Sequence, residues 1–448
     1  MPARTPAGWQ RGCLLLAPHS DAEALWTGRD AKSGHLAGHL PGQIVLYNLL
    51  MSAYRDSHAH IEFGLDLRRM SSATWVLLGE AKSKSLHVGR SLLSPNAAQE
   101  LLAVYLAKGF LATTAIEGNT LSEEEVRRIL DRTLELPPSR EYLKKEIDNV
   151  LQAYNVVRQV VLADPQSQFS VERLCEYNRM ILDGLEVEKD VVPGRIRTHS
   201  VVVGSYRAAP AEDAEHLLGR LCDWLNGGEF DAPEKQPELV APLAIVKAVL
   251  AHLYLAWIHP FGDGNGRTAR LLELQILLAA GFPVPTCQLL SNHYNLTRSD
   301  YYRQLALSSQ GQDGVVSFVH YAVRGFVDQL REQLEVIRKV QFEDRWEQFV
   351  YQQFGERRTE TNNRRLHLVL DVSRAYHESG EPIAKRGIPE LTPRLAVAYA
   401  AKTEKTLTRD LNAIKDVGLL SQDGRGWVPD DEQIQRLRPP AADGVLWD

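Results

Sequence analysis

Residues 259–270 read His-Pro-Phe-Gly-Asp-Gly-Asn-Gly-Arg-Thr-Ala-Arg and follow the most apolar segment of the chain. Pro260 steers the residue before it out of the α region, so we expect the preceding helix to end at His259. Glycine at every second position from 262 to 266 lets the backbone turn tightly and approach a ligand closely. A new helical pattern begins near Arg267. The stretch therefore predicts a ligand-binding loop between two helices.

The start of the second helix favours a bound anion, because its N–H groups lack partners and its dipole is positive there. Arg267 and Arg270 lie one turn apart and offer forked donors to a phosphate. Asp263 supplies a hard oxygen ligand that suits Mg²⁺ together with phosphate oxygens. His259 titrates near neutral pH, as a general base requires. Each residue alone is commonly structural, but their combination within one short segment indicates a phosphate-handling site.

These residues resemble the signature HPFx(D/E)GNGRxxR of the Fic-domain family and match it at every fixed position. Members of this family transfer the AMP part of ATP to a hydroxyl group of a protein, a reaction called AMPylation. The resemblance extends over residues 95–335. It implies the following roles: His259 as the base, Asp263 as the Mg²⁺ ligand, Gly264, Asn265 and Gly266 as the anion cradle with Thr268 beside it, and Arg267 and Arg270 as clamps on the outer phosphates. Phosphotransfer members carry lysine where this chain has Gly266, which favours AMP transfer.

The segment from Thr113 to Asn119 ends a helix that we predict over residues 95–117. A glutamate in the last turn of a helix opposes the dipole, so Glu117 is a poor choice for helix stability. An exposed residue that tolerates this small cost is one interpretation. The segment also resembles the Fic inhibitory motif (S/T)xxxE(G/N), and this resemblance implies that Glu117 pairs with Arg270 and blocks the site of the γ-phosphate. In animal relatives the same glutamate also supports removal of AMP by hydrolysis.

Residues 191–206 alternate apolar and polar side chains around two glycines, which predicts a short hairpin. The hairpin resembles the flap of Fic proteins, which pairs with an extended target segment by strand addition. Val203 and Gly204 are then target-docking residues. A buried strand is an equally good interpretation of the same valines.

Tyr301 and Tyr302 resemble family residues near the adenine, although paired aromatics are commonly part of a core. Close relatives have an asparagine downstream of these tyrosines, where this chain has Ser309. This difference puts the contact on the adenine side in doubt.

Residues 403–428 combine a helical apolar stripe with a turn and a short hairpin. They resemble the recognition helix and wing of winged-helix proteins. In that arrangement four polar residues are placed to face DNA: Thr406, Thr408, Arg409 and Lys415. Dimerisation or protein contact is an equally good interpretation, because the whole chain is acidic.

The 448 residues carry a formal net charge of −6, with 44% hydrophobic and 24% charged residues. This is ordinary globular composition without a global basic field for nucleic acid or an anionic membrane. The four cysteines are scattered, which disfavours a disulfide framework and a thiolate metal site. The apolar stretch 13–17 is too short for a signal peptide or a membrane span, and residues 239–261 predict a buried core helix. We expect a cytoplasmic protein without a membrane partner.

The predicted fold class is mainly α, a Fic-domain helical bundle with a small β-hairpin flap and a C-terminal winged helix-turn-helix. We expect six regions: an N-terminal region of unknown role (1–93), the inhibitory helix and the helix after it (94–140), the catalytic core (141–335), a linker helix (336–360), the winged-helix domain (361–430) and a tail (431–448).

The resemblance implies a protein adenylyltransferase that uses ATP and Mg²⁺, is inhibited by Glu117 and modifies a Ser, Thr or Tyr hydroxyl of a target protein or of itself. Two alternatives remain open: a transcription regulator that senses nucleotide and binds DNA, and an enzyme that acts mainly as a de-AMPylase. DNA and a second copy of the chain remain open as partners.

Overall fold

Helices make up most of the part of the chain that the computed structural model describes, which is residues 53–204, 206–355 and 359–430. These residues all belong to one compact unit that covers residues 50–448. The apolar stretch 13–17, most of the predicted N-terminal region and the predicted tail lie outside the described residues. The predicted class, a mainly helical protein with small two-stranded sheets, is confirmed.

The described ranges contain fifteen α-helices and four short strands. The helices are α1 (Ala53–Ser57), α2 (Ser72–Arg90), α3 (Pro95–Ala115), α4 (Glu123–Leu130), α5 (Glu141–Ala163), α6 (Val171–Ile181), α7 (Ala214–Asn226), α8 (Val240–Ile258), α9 (Asn265–Ala279), α10 (Leu289–Leu296), α11 (Arg298–Ser308), α12 (Gln312–Phe354), α13 (Glu360–Ser379), α14 (Pro393–Tyr399) and α15 (Glu404–Asp416). The strands are β1 (Val202–Val203), β2 (Tyr206–Arg207), β3 (Leu420–Asp423) and β4 (Gly426–Pro429). Each sheet is one antiparallel hairpin, β1–β2 or β3–β4.

Local capping fixes the start of α4. The Ser122 hydroxyl accepts a hydrogen bond from the Glu125 backbone N–H at 3.2 Å, and the Glu125 carboxylate accepts one from the Ser122 N–H at 2.8 Å. This reciprocal pair satisfies two N–H groups that a helix start leaves without partners. Ser94 occupies the N-cap position of α3 before Pro95, but its side chain makes no capping hydrogen bond.

Helix α8 forms the centre of the larger hydrophobic core, and most of its side chains are buried. The segment Pro237–Ile258 is long and apolar enough for a membrane span by length and composition, but 67% of its most apolar window is buried inside the protein. This burial agrees with the predicted core helix at residues 239–261. α8 packs along α9, so the loop between them opens at one end of the core.

A second hydrophobic cluster lies in the C-terminal part of the chain and includes residues from the end of α12 through β4. Its buried polar centre is Asp410, whose carboxylate accepts hydrogen bonds from Arg364 at 2.7 Å and Arg365 at 2.9 Å. Ile383 forms an isolated antiparallel bridge with Trp427 in β4, next to the β3–β4 hairpin. α12 runs without interruption from the first cluster to the second and crosses the predicted boundary at 335/336.

Candidate functional site

The loop between α8 and α9 begins at His259, which caps α8 in the left-handed region with φ 48° and ψ 59°. α8 therefore ends at Ile258, one residue earlier than we expected. A non-glycine residue in this region costs about 1–2 kcal/mol, so the surrounding contacts must hold it there. Gly264 takes φ 76° at the start of α9, where a Cβ would lie 2.8 Å from the Asn178 amide nitrogen.

The side chain of Asn265 closes this loop. Its Oδ1 accepts a hydrogen bond from the Phe261 N–H at 2.9 Å, and its Nδ2 donates to the Phe261 carbonyl at 2.8 Å. Thr268 is fully buried and donates its hydroxyl proton to the Gly264 carbonyl at 2.8 Å. Both side chains therefore stabilise the loop. The anion-binding roles predicted for Asn265 and Thr268 stay predictions.

The His259 imidazole borders a cavity of about 410 Å³. Burial lowers the pKa of His259 to about 4, so the ring is neutral at pH 7. This differs from the expectation of titration near neutral pH, because the ring has lost most of its contact with water. Nδ1 faces the Ala256 carbonyl at 3.4 Å. A carbonyl only accepts, so this contact assigns the proton to Nδ1 and leaves Nε2 as the proton acceptor.

Arg270 is buried, and three of its hydrogen bonds go to the segment before α4. Nε donates to the Thr113 hydroxyl at 2.8 Å, and Nη2 donates to the Thr113 carbonyl at 2.9 Å and to Glu117 Oε1 at 2.6 Å. Nη1 is buried without a hydrogen-bond partner. Burial lowers the pKa of Arg270, but the Glu117 charge outweighs this effect and the net pKa is raised. The guanidinium thus stays charged and keeps one donor free.

Glu117 lies in the turn after α3 and not in its last turn, because α3 ends at Ala115. The turn is closed by hydrogen bonds from the N–H groups of Glu117 and Asn119 to the Thr114 carbonyl at 3.0 and 3.1 Å. The prediction that this helix extends to residue 117 is therefore wrong by two residues. The side chain is 32% exposed. Burial raises the pKa of Glu117, but Arg270 outweighs it and the net pKa is lowered, so the carboxylate is ionised.

Arg267, in the first turn of α9, lies between the carboxylates of Asp263 and Glu146. Its Nη2 donates to Asp263 Oδ1 at 3.4 Å, and its Nη1 lies 3.6 Å from Glu146 Oε1. Nε and Nη1 are buried and make no hydrogen bond. Buried N–H groups of a cation without acceptors are costly, so Arg267 and Arg270 together fit an anion with several oxygens. The structure thus brings the two predicted clamps together.

Asp263 is the only one of the predicted site residues that offers a metal-ligating carboxylate from the α8–α9 loop. Its side chain is 48% exposed, and Oδ1 accepts from the Gly264 N–H. Within the described ranges, no group of three or more His, Cys, Asp or Glu side chains could hold a metal ion. The donor set fits Mg²⁺, which commonly takes one or two protein carboxylates and fills its remaining positions with phosphate oxygens and water.

The cavity is also lined by α11 and by the β1–β2 hairpin. Tyr301 is buried in this lining, and its hydroxyl lies 2.8 Å from Nε2 of His252. Tyr302 lines the same cavity and is 42% exposed. Ser309 caps α11, and its hydroxyl donates to the Ala306 carbonyl at 3.0 Å. Its hydroxyl is thus engaged within the helix end.

The β1–β2 hairpin places Val203 and Gly204 at the cavity. The side chains of Val202 and Val203 are 57% and 40% exposed, so the interpretation of these valines as a buried strand is wrong. The hairpin is shorter than predicted, with paired residues only from Val202 to Arg207. Gly266 lines the same cavity, and a Cβ on it would fall 2.3 Å from Glu117 Oε1 and 3.1 Å from Arg270 Nη1. Only glycine leaves room here for the Glu117 carboxylate.

Three residues that hold the site were not predicted from the sequence. Arg197 donates to the His259 carbonyl at 2.7 Å, and Asn178 donates to the Asp263 carbonyl at 2.8 Å. Glu146 accepts from the Asn119 amide at 2.7 Å and lies beside Arg267. Their partners are distant in sequence and are mostly backbone carbonyls, which leave no residue pattern. The predicted hairpin segment contains Arg197, but it also contains Arg195. The sequence therefore did not show which of the two arginines holds the site.

Residues 168–277 match the model of the Fic/DOC family. The chain is 32% identical over 212 residues to "Protein adenylyltransferase fic-1" of Caenorhabditis elegans and 30% identical over 212 residues to "Protein adenylyltransferase Fic" of Nematostella vectensis. The alignments cover 47% of this chain and 38% and 45% of those proteins. The chain thus spans less than half the length of these relatives.

Two solved structures are similar as well. A Fic family protein from Desulfovibrio desulfuricans has 21% identity and a TM-score of 0.47, with 79% of this chain and 91% of that chain covered. Fic-1 of C. elegans has 24% identity and a TM-score of 0.46, with 60% of this chain and 74% of that chain covered.

Proposed function

We propose that the protein transfers AMP from ATP to a hydroxyl group of a target protein or of itself. The observation that carries this proposal is the juxtaposition of a neutral, partly buried imidazole at His259 with two buried guanidinium groups that have unpaired donors, Arg267 and Arg270. A proton acceptor beside an anion-binding cradle suits nucleophilic attack on a phosphate ester. The identity to named adenylyltransferases supports AMP as the transferred group.

In the proposed reaction the target hydroxyl oxygen attacks the α-phosphorus of ATP. A new O–P bond forms, the bond between the α-phosphorus and the oxygen that bridges to the β-phosphorus breaks, and pyrophosphate leaves with that electron pair. Nε2 of His259 takes the hydroxyl proton. Arg267 and Arg270 hold the phosphate oxygens and neutralise the charge that moves to pyrophosphate. The backbone N–H groups at the start of α9 donate hydrogen bonds to the phosphate oxygens.

Asp263 is the residue that would hold Mg²⁺, which when bound neutralises phosphate charge and fixes the phosphate chain. The half-exposed carboxylate faces the start of α9, where the phosphates are expected. The exposed valine edge of the β1–β2 hairpin would bind an extended segment of the target by strand addition. Tyr301 and Tyr302 would line the nucleoside side of the cavity.

We further propose that Glu117 inhibits this reaction. Its carboxylate occupies Nη2 of Arg270 at 2.6 Å and fills the space above Gly266. A phosphate oxygen that approaches Arg270 must displace Glu117, because two anions cannot share this buried donor without a large repulsion. The pair therefore couples the turn after α3 to nucleotide binding. The same carboxylate lies close enough to the site to assist hydrolysis of an AMP ester, so de-AMPylation is the alternative activity.

The proposal is tested with ATP labelled in either the α- or the γ-phosphate. Glu117→Gly protein incubated with Mg²⁺ should keep the α-label covalently and release the γ-label as pyrophosphate. Label from the γ-phosphate on the protein would instead indicate phosphotransfer and would exclude AMP transfer as the main reaction.

The rate of AMP transfer should be almost independent of pH above about pH 5. The neutral imidazole of His259 is the active form, and burial lowers its pKa to about 4, so the rate should fall only when pH drops through this value. The measurement is kcat/KM of Glu117→Gly from pH 4 to 8, with circular dichroism at each pH to check folding. A half-maximal rate near pH 6.5, typical of a solvated histidine, would contradict a base with this lowered pKa.

A second proposal concerns the C-terminal part of the chain, where α13, α14, α15 and the β3–β4 hairpin have the element order of a winged helix. The outer face of α15 carries Lys405, Arg409 and Asn412, with Thr408 between them. Arginine and asparagine are the side chains that commonly read guanine and adenine. Of the residues predicted to face DNA, Arg409 and Lys415 are exposed, whereas Thr408 donates its hydroxyl proton to the Glu404 carbonyl at 3.0 Å. We propose that this face binds duplex DNA.

The variant Lys405→Gln/Arg409→Gln should bind random-sequence duplex DNA about tenfold more weakly than the wild-type chain at low salt. Loss of two phosphate contacts should also reduce the slope of log affinity against log salt by about 2. Fluorescence anisotropy of a labelled duplex gives both values. The control is Lys189→Gln/Lys235→Gln, which removes two exposed lysines elsewhere. Equal DNA affinity of both variants would contradict binding through α15 and favour protein contact.

A further inference from the structure

Arg197 lies buried between the β1–β2 hairpin and the α8–α9 loop, with 4% of its surface exposed. Its hydrogen bonds go to backbone carbonyls on three segments and not to a carboxylate. Nε donates to His259 at 2.7 Å, Nη1 donates to His199 at 2.7 Å, and Nη2 donates to Ala209 and, at 3.3 Å, to Ile258. A buried arginine is costly, and an arginine without an acid partner is not explained by charge pairing.

The acceptors of Arg197 show what the residue holds. The carbonyls of Ile258 and His259 end α8, where His259 is in the left-handed region. The carbonyls of His199 and Ala209 lie just outside the two ends of the β1–β2 hairpin, which closes through a hydrogen bond from the Ala208 N–H to the Val201 carbonyl. One planar guanidinium thus joins the backbone of His259 to both ends of the hairpin.

The backbone reinforces the same connection. The Arg197 N–H donates to the Pro260 carbonyl at 2.9 Å, and Ile196 forms an antiparallel bridge with Phe261. The start of the hairpin segment is therefore paired like a strand with the start of the α8–α9 loop. The backbone pairing does not reach the end of α8 or the far side of the hairpin. The Arg197 guanidinium donates hydrogen bonds to both.

We propose that Arg197 is a positioning residue, which fixes the His259 backbone and holds the target-docking hairpin in register with the imidazole. This inference rests on the proposed AMP transfer. A target segment paired with the hairpin would then present its hydroxyl at a set distance from Nε2 of His259. Arginine is required, because its rigid fork reaches several carbonyls at once, whereas the single ammonium of lysine cannot.

The test compares Glu117→Gly with Glu117→Gly/Arg197→Lys and Glu117→Gly/Arg195→Lys. Arg195 is the matched control, since it lies two residues away and is exposed. A small displacement of a catalytic group costs about 100-fold, so kcat for AMP transfer should fall by about this factor in the Arg197 variant and stay unchanged in the control. The dissociation constant for ATP should change less than about threefold, because Arg197 does not bind the phosphates. A kcat within threefold of the parent, or a loss of ATP affinity as large as the loss of kcat, would overturn the proposal.

Amide hydrogen exchange provides a readout that does not depend on transfer activity. The amides of Ile258, His259 and Phe261 should exchange faster in the Arg197 variant than in the Arg195 variant, while those in the middle of α9 stay protected. Equal exchange of these amides in the two variants would overturn the positioning role, whether or not Glu117→Gly transfers AMP. Absence of AMP transfer by Glu117→Gly would overturn the proposed function, independently of the exchange result. If the lysine variant does not fold, Arg197→Gln replaces it, since it keeps two donors and buries no charge.

Discussion

The Glu117→Gly variant should label itself with AMP about 10- to 100-fold faster than the wild-type protein. Removal of the carboxylate frees Nη2 of Arg270 and empties the space above Gly266, so ATP no longer competes with an internal anion. Coupling between two such sites is commonly worth about 5- to 150-fold in affinity or rate. The measurement is covalent label from α-labelled ATP against time, with Mg²⁺ present.

Two further variants show whether activation comes from loss of the Glu117 charge or from the greater backbone freedom of glycine. Glu117→Gln keeps the size of the side chain and loses its charge, so it should activate nearly as much as glycine. Glu124→Gln removes an exposed carboxylate of α4 and should leave the rate unchanged. If Glu117→Gly labels no faster than wild type and instead fails to remove AMP from a labelled protein, Glu117 serves hydrolysis and the inhibitory role is wrong.

Replacement of His259 by alanine in the Glu117→Gly background should slow AMP transfer by about 10²- to 10⁴-fold, the range that a lost general base commonly costs. The affinity for ATP should stay within about threefold, because the cradle of Arg267, Arg270 and the α9 N-terminus is intact. Transfer is measured by label incorporation and binding by calorimetry in the same preparation.

The control for this variant is His199→Ala, at the edge of the β1–β2 hairpin, which should keep full activity since only its backbone carbonyl contacts Arg197. Undiminished transfer by the His259 variant would show that another group takes the proton. A parallel loss of ATP binding and transfer would mean that His259 holds the nucleotide and does not act as the base.

Residues 259–270 could be interpreted from the sequence because their information is local. Proline and glycine fix where α8 ends and α9 begins, and the two arginines share a helix face by spacing alone. The pairing of Glu117 with Arg270 spans 153 positions and came from a resemblance, not from a pattern in the residues. The structure supports its geometry with a 2.6 Å contact.

Side-chain direction was the main property that the sequence did not reveal. Asn265 and Thr268 stand in the expected place but turn into the loop and the helix, where local acceptors satisfy them. Burial of His259 lowers its pKa, and burial is a tertiary property. The role of Arg197 was not predicted because its acceptors are backbone carbonyls from three separate segments. Every residue has a backbone carbonyl, so such acceptors leave no pattern in the sequence.

The most direct test of AMP transfer under the control of Glu117 compares three proteins: wild type, Glu117→Gly and Glu117→Gly/His259→Ala. Each is incubated with Mg²⁺ and α-labelled ATP, and covalent label on the protein is measured. Strong label on Glu117→Gly alone is the predicted result. Absence of label on all three, with ATP still bound, would contradict AMP transfer and would favour a nucleotide-sensing protein that acts through its C-terminal module.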